Sequence, residues 1–176
     1  MSRAGPLTFR LELQAAAAPN EKEHYPQMNA FKHILVPTDF SACSLGALDL
    51  AISLAATFDA DLTLLHCWEV PIYPYLDYML SSPDLITSLE NAATKRLAEE
   101  LEWVKKQHPG AKSALSMGLA WQQILEVAKQ LRPDLIVMGS HGRHGLDHVL
   151  LGSVAEKVVR LSEVPVLTVR APRKKG

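Results

Sequence analysis

Three glycines and a serine occur at a spacing that indicates phosphate chemistry. Gly139 ends an apolar run, Gly142 follows at the third position, and Gly152 and Ser153 come after nine further residues. Because glycine has no Cβ, backbone N–H groups beside it can approach a ligand closely. The first amides of a helix are also unpaired donors, at the positive end of the helix dipole. Donors of these two kinds bind anions, of which phosphate is the commonest, so the spacing predicts a phosphate site.

The elements that position these glycines are predicted to be a strand and a helix. The apolar run from Asp134 to Met138 predicts the strand, and apolar residues at helical spacing predict a helix from Ser153 to Leu161. Glu156 lies three residues after Ser153, which is the spacing of a capping box. The Ser153 hydroxyl therefore has two interpretations, as a cap on the Glu156 amide or as a donor to phosphate, and both can hold in turn.

Two common phosphate-binding motifs do not fit this loop, but a third signature does. The loop lacks the Gly-Lys-Ser/Thr end of a P-loop and the spacing of the dinucleotide fingerprint G-x-G-x-x-G. It resembles the G-x-x-G-(nine residues)-G-Ser/Thr signature of the ATP-binding branch of the universal stress protein family. Residues Ile34 to Ser41, ILVPTDFS, resemble that family's first strand and nucleotide-binding turn, and the closing VPVLTV resembles its last strand. The resemblance covers about residues 31–170.

Asp39 follows the first predicted strand, where its carboxylate has three candidate roles. It can accept a ribose hydroxyl, hold a phosphate-bound Mg²⁺ through water, or simply cap the next helix. The glycine loop expected opposite Asp39 favours the ribose. The resemblance implies that Pro37 and Thr38 join Asp39 at the adenosine end, and that Cys67 lies beside the adenine. A packing role for Cys67 is equally compatible with the sequence.

The phosphate end is expected to consist of backbone amides. Those of Gly142, Gly152, Ser153 and Val154 would hold the β- and γ-phosphates, and Arg143 would contact phosphate or solvent. The complete set of nucleotide-binding candidates is Pro37, Thr38, Asp39, Cys67, Met138, Gly139, His141, Gly142, Arg143, Gly152, Ser153 and Val154.

Histidines in the same loop suggest a metal cluster as an alternative. His141, His144 and His148 with Asp147 have ligand spacing only if the loop is helical, and the glycines among them oppose a helix. We therefore interpret them as loop histidines near a polyphosphate. Mg²⁺ held through the phosphates, with Asp39 as its protein contact, is the metal that we expect.

The loop favours binding of a nucleotide over its turnover. An efficient ATPase needs a water-orienting or basic group and cationic clamps, whereas this loop offers no lysine and one arginine. The resemblance implies an ATP-binding protein that acts as a nucleotide-dependent regulatory or stress-resistance module. The alternatives are a slow ATPase or nucleotide-transferring enzyme completed by a partner, and a dimeric interaction module that ignores nucleotide. The sequence does not identify a regulatory partner.

Apolar runs that alternate with helical patterns predict the α/β class. We expect a single doubly wound open sheet of five parallel strands, in the order 3-2-1-4-5, with helices on both faces. If the first and fourth strands are neighbours at the switch point, the loops after Val36 and Met138 face one crevice. The other strands are predicted at Leu62–Trp68, Ala111–Met117 and Val164–Val169.

Composition limits the partners and the cellular location. Eighteen Lys and Arg oppose nineteen Asp and Glu, for a net charge of -1, which argues against binding to nucleic acid or an anionic membrane. The apolar stretches fall short of the ~20 residues that a membrane helix needs. Cys43 and Cys67 lie in apolar runs without metal or redox spacing, so we expect buried thiols in the cytoplasm.

The ends of the chain are predicted to lie outside the nucleotide-binding domain at residues 31–170. Residues 1–30 are expected to be a disordered or non-core extension, with Met28 as an alternative start, and residues 171–176 a basic tail. Residues 69–82 have no clean period and predict a mobile loop. The resemblance implies a homodimer formed through the last strand, whereas Pro165 and the basic tail could instead shield that edge.

Overall fold

A computed structural model describes residues 31–70, 83–142 and 151–170. The predicted N-terminal extension, the C-terminal tail, the loop after Val70, and the residues Arg143, His144, Asp147 and His148 lie outside these ranges. Within them strands and helices alternate as β1 His33–Thr38, α1 Ala42–Phe58, β2 Asp61–Trp68, α2 Pro83–Lys105, β3 Lys112–Met117, α3 Ala120–Leu131, β4 Leu135–Gly139, α4 Ser153–Leu161 and β5 Val166–Val169.

The strands form one parallel sheet in the order β3-β2-β1-β4-β5, which confirms the predicted topology. Ile34 of β1 is aligned with Leu62 of β2 on one side and with Leu135 of β4 on the other. The strand order therefore reverses between β1 and β4, and the carboxyl ends of these two strands lie side by side. In open sheets of this kind, that switch point is where ligands bind.

Two apolar layers enclose the sheet, because successive strand side chains point to opposite faces. One layer packs α1 and α2 against Ile34, Val36, Leu62, Leu64, Leu135 and Val137. The other packs α3 and α4 against Leu35, Leu65, Ile136 and Met138. Strands buried on both faces read as continuous apolar runs, which is the pattern seen in the sequence.

The helices beside the switch point begin with different caps. The Ser41 hydroxyl accepts a hydrogen bond from the Ser44 amide at 3.2 Å and so caps α1. At α3 the N-cap residue, Leu119, offers no side-chain acceptor. Instead Glu69, which follows β2, accepts from the Ala120 amide through Oε1 at 3.1 Å. A carboxylate is stabilised there by the positive end of the helix.

The last strand is shorter than predicted. We expected Val164 to Val169, but β5 begins at Val166. The Ser162 hydroxyl donates to the Val164 carbonyl at 2.7 Å and accepts from the Val164 amide at 3.0 Å, so a local turn holds both backbone groups. Pro165 still contributes its carbonyl oxygen to the Ile136 amide at 2.9 Å. Among the described helices there is no candidate for a membrane-spanning segment.

Candidate functional site

A cleft of about 810 Å³ lies at the carboxyl end of the sheet, over the switch point. The ends of β1, β2 and β4 form its floor, and the first turns of α3 and α4 form part of its wall. Apart from Arg143, which is outside the described residues, all predicted site residues line this cleft. They are Pro37, Thr38, Asp39, Cys67, Met138, Gly139, His141, Gly142, Gly152, Ser153 and Val154.

The two predicted binding turns meet across the cleft at Asp39 and Gly142. A Cβ on Gly142 would lie 2.9 Å from Oδ2 of Asp39, so the missing side chain permits this approach. A Cβ on Gly139 would lie 3.1 Å from the Ser44 amide nitrogen and so would collide with the first turn of α1. None of the signature glycines has a positive φ; among the described glycines only Gly118 does. Close packing at Gly139 and Gly142, rather than a left-handed backbone, is therefore what favours glycine in this loop.

The phosphate end differs from the prediction in two respects. The N-cap of α4 is Gly152, and Ser153 is the first helical residue, so the proposed capping box between Ser153 and Glu156 is wrong. The Glu156 amide instead donates to the Gly152 carbonyl at 2.9 Å. The Gly152 amide donates to the Ser140 carbonyl at 2.8 Å, and so is engaged by the protein itself. The donors that the helix presents to the cleft are those of its first turn, beginning with Ser153 and Val154.

Ser140 organises the glycine loop, although it was not among the residues predicted from the sequence. Its amide donates to the Val169 carbonyl at 2.7 Å, which joins β4 to the end of β5. Its hydroxyl lies 2.9 Å from Nδ1 of His141, and the residue is only 1% exposed. A serine between Gly139 and His141 could have been recognised as a loop anchor, because a short hydroxyl side chain readily bonds the adjacent backbone and side chains.

The Asp39 side chain bonds within its own turn. Oδ1 of Asp39 accepts from the Ser41 amide at 3.1 Å, while Oδ2 faces Gly142. Because Ser41 is the cap of α1, the interpretation of Asp39 as a simple helix cap is wrong. Behind the turn, Nδ1 of His66 lies 2.8 Å from the Thr38 carbonyl oxygen, and must donate because a carbonyl only accepts.

Comparison with known proteins identifies the family. A sequence model of the Universal stress protein family matches residues 30–170. The chain belongs to this family. It is 36% identical to universal stress protein MJ0531 of Methanocaldococcus jannaschii, over 83% of this chain and 86% of that relative.

Solved structures of universal stress proteins have the same fold. UspA from Lactobacillus plantarum superposes with a TM-score of 0.69 at 30% identity, covering 79% of this chain and 97% of that one. A universal stress protein in complex with cAMP superposes with a TM-score of 0.56 at 26% identity, covering 81% of this chain and 99% of that one. The fold is thus shared with a universal stress protein whose structure was solved in complex with cAMP.

The far end of the cleft in this universal stress protein contains a thiol and a carboxylate. Cys67 is half-buried beside Glu69, and burial, with a smaller contribution from the Glu69 charge, raises the pKa of the Cys67 thiol to about 12. At neutral pH the thiol is therefore protonated, and it forms an apolar part of the cleft wall with a weak S–H donor. Glu69 is fixed by its bond to the first amide of α3.

The described part of the chain offers no group of three or more His, Cys, Asp or Glu side chains that could hold a metal ion. Of the histidine cluster considered as a metal site from the sequence, only His141 lies within the described ranges. Asp39 remains the carboxylate of the cleft that faces the glycine loop. A divalent ion at that position would need phosphate oxygens and waters as its other ligands, which is the usual environment of Mg²⁺.

Proposed function

We propose that this universal stress protein binds an adenine nucleotide, ATP with Mg²⁺, and that occupancy of the cleft controls its association with a regulatory partner. The main support for this proposal is that two chemically different turns meet over the switch point. Main-chain donors and missing side chains form one wall, and the Asp39 carboxylate forms the other. The relative in complex with cAMP supports an adenine nucleotide as the ligand class.

The phosphate groups would lie over the N-terminus of α4. The Ser153 and Val154 amides are first-turn donors, and the Ser153 side chain is exposed beside them. Gly152 contributes by lacking a side chain, since its own amide bonds the Ser140 carbonyl. Gly142 and His141 complete the wall on the β4 side, and Arg143 remains a candidate phosphate contact.

The nucleoside would extend from Asp39 towards β2. Oδ2 of Asp39, which faces Gly142, would accept a ribose hydroxyl or bind Mg²⁺ through water. Pro37 and Thr38 would form the floor at this end, and Met138 and Gly139 would form it below the phosphates. The base would lie against Cys67, whose neutral thiol suits a flat apolar ring. A Mg²⁺ held there through Asp39 would offset the charge of the phosphates.

The residues that line the cleft support nucleotide binding without efficient hydrolysis. The described residues that line the cleft include no lysine or arginine, whereas phosphoryl transfer relies on cationic groups to stabilise charge in the transition state. A slow ATPase or nucleotide-transferring enzyme, completed by a partner's cation, is the second candidate. A module that ignores nucleotide is the third.

Calorimetry with Mg-ATP, followed by analysis of released phosphate, separates these candidates. We expect saturable binding and negligible phosphate release by the wild type. Gly142→Val should remove binding, because its side chain would collide with Asp39. Gly110→Val is the matched control, since a Cβ there has nothing within 4 Å. Steady phosphate release by the wild type would favour the enzyme, and absence of binding would contradict the proposal.

We further propose a cytoplasmic homodimer formed through β5. This strand pairs with β4 along one edge, and the nearby side chains of Leu167, Leu161 and Val159 are exposed. An edge of this kind must be paired or covered, and the two free thiols suit a reducing compartment. Light scattering of Leu167→Lys should report monomers, whereas Leu119→Lys, at another exposed leucine, should remain dimeric. A monomeric wild type would contradict this interface.

A further inference from the structure

Phe40, the residue after Asp39, has an unusual backbone conformation. Its φ is 63°, in the left-handed region that residues with a Cβ rarely adopt. Such a conformation persists only where surrounding contacts hold it. It also sets the direction in which the chain leaves Asp39, so the contacts that hold Phe40 determine where the Asp39 carboxylate lies.

Side chains from three elements hold Phe40 in place. The Phe40 amide donates to Oγ1 of Thr38 at 3.1 Å. On one side its ring contacts the ring of His66 in β2, with the centroids 4.4 Å apart. The Arg96 guanidinium of α2 lies over the ring, 4.4 Å from its centroid, in the geometry of a cation–π interaction. Helix α2 thus reaches the turn that carries Asp39.

Glu100, one helical turn after Arg96, provides a second link from α2 to the turn. Its carboxylate interacts with the Thr38 side chain. Oε2 of Glu100 is buried and has no hydrogen-bond partner among the described residues. Residues four apart lie on the same face of a helix. Arg96 and Glu100 therefore approach the Asp39 turn together, one from the aromatic ring and one from the hydroxyl.

The Thr38 hydroxyl links Glu100 to the Phe40 turn. The hydroxyl donates to Ser44 Oγ at 3.4 Å, a long hydrogen bond, and its oxygen accepts from the Phe40 amide at 3.1 Å. The Glu100 carboxylate interacts with the same side chain, and an ionised acceptor would attract the hydroxyl proton more strongly than Ser44 does. Glu100 thus acts on the hydroxyl that anchors Phe40.

We propose that Arg96 and Glu100 are positioning residues for Asp39, and that through the Phe40 turn they set the affinity of the cleft for nucleotide. This inference rests on the proposed function. Neither residue lines the cleft, so neither would contact the ligand. Their effect is to hold Asp39 against Gly142, with Oδ2 directed at the ribose and metal position. Helix α2 would then be the element through which a partner bound outside the cleft influences occupancy.

A double-mutant cycle with Mg-ATP calorimetry tests the inference. Arg96→Ala should weaken binding about tenfold in the wild-type background and very little in an Asp39→Asn background, because residues that act through one group are not additive. Arg96→Lys, which keeps a cation over the ring, should restore most of the affinity. Lys95→Ala, at the exposed neighbour, is the matched control and should change nothing in either background.

Glu100 variants give a second, independent readout in the same assay. Glu100→Gln keeps an oxygen acceptor for Thr38 and should bind Mg-ATP about as tightly as the wild type, whereas Glu100→Leu should weaken binding about tenfold. Glu99→Leu, at an exposed neighbour, is its control. Additive effects of the Arg96 and Asp39 substitutions on affinity would overturn this inference but not the proposed function. An equal loss of affinity in Glu100→Gln and Glu100→Leu would do the same. A wild type that does not bind Mg-ATP would overturn the proposed function and the inference with it.

Discussion

The two turns that face each other across the cleft are built by opposite means. The turn after β1 is held by side chains: Thr38 anchors Phe40, Ser41 caps α1, and Asp39 bonds the Ser41 amide. The loop after β4 depends on side chains that are absent, since a Cβ on Gly142 would collide with Asp39 and a Cβ on Gly139 would crowd the first turn of α1. The Asp39 turn thus depends on side chains that are present, whereas the glycine loop depends on side chains that glycine lacks.

The difference determines how each turn should respond to mutation. A residue added to the glycine loop occupies space that the ligand and the facing turn need, and so acts on binding directly. A side chain removed from the Asp39 turn loosens a network in which neighbouring groups can partly compensate. We therefore expect large, steric effects in the glycine loop and smaller, graded effects in the Asp39 turn.

The largest effects are expected in the glycine loop. Valine at Gly142 or Gly152 should abolish ATP binding without unfolding the chain. Alanine should separate the two positions: at Gly142 its Cβ would lie 2.9 Å from Asp39 and should weaken binding about 100-fold. At Gly152 the nearest atoms are 3.4 Å away, an ordinary contact, so the loss should be about tenfold or less. Calorimetry with Mg-ATP measures both, and equal affinities for the two alanine variants would contradict the steric account.

Removal of the Asp39 carboxylate should have an intermediate effect. Asp39→Ala loses the group directed at the ribose or Mg²⁺ but leaves the donors of the phosphate end in place, so we expect affinity to fall about tenfold. Titrations with and without Mg²⁺ should show which contact is lost. Affinity equal to that of the wild type in both conditions would remove Asp39 from the site.

The α1 cap should affect stability but not binding. Ser41→Ala removes the acceptor of the Ser44 amide and should lower the free energy of unfolding by about 1 kcal/mol. The Ser41 amide that bonds Asp39 is unaffected, so nucleotide affinity should stay within about twofold of the wild-type value. Urea denaturation and calorimetry together check this. A large loss of affinity would mean that the Asp39 turn depends on the cap more than the contacts indicate.

Glu100 should produce a small change in the pH dependence of stability. Burial raises its pKa above the ordinary value of 4.5; the Thr38 side chain and the Arg96 charge oppose this shift, and the Asp39 charge adds to it. With a raised pKa the folded state binds more protons than the unfolded state, so the free energy of unfolding falls as pH rises through this window. Glu100→Gln cannot ionise and should be more stable than the wild type at neutral pH.

The wild type and Glu100→Gln compared at acidic pH provide the control for this prediction. Below about pH 4, where Glu100 is protonated in both states, the stabilities of wild type and Glu100→Gln should converge. Urea denaturation at several pH values measures the difference. A constant difference across the range would show that the substitution acts through shape rather than charge.

Local sequence patterns predicted the sheet and the glycine loop because both follow from short-range rules. The runs at β1, β2 and β4 are mostly apolar, as is typical of strands covered on both faces, although Thr63 and His66 interrupt β2. The positions of Gly139 and Gly142 between a strand and a helix indicated close backbone approach, and the structure confirms that packing.

Features that depend on tertiary contacts were not predictable in the same way. Gly152 replaces Ser153 as the cap because its amide is drawn to the Ser140 carbonyl, a bond that no spacing rule indicates. Arg96 and Glu100 lie on a helix whose sequence is otherwise that of an amphipathic surface helix. Their importance follows only from where α2 packs against the Asp39 turn.

A crystal structure of the protein with Mg-ATP tests the central claim most directly. Our account predicts that the triphosphate lies over the N-terminus of α4, with its oxygens bonded to the Ser153 and Val154 amides and Asp39 beside the ribose or the metal. A triphosphate bound elsewhere, or a cleft filled by the protein's own side chains at saturating ligand, would contradict it.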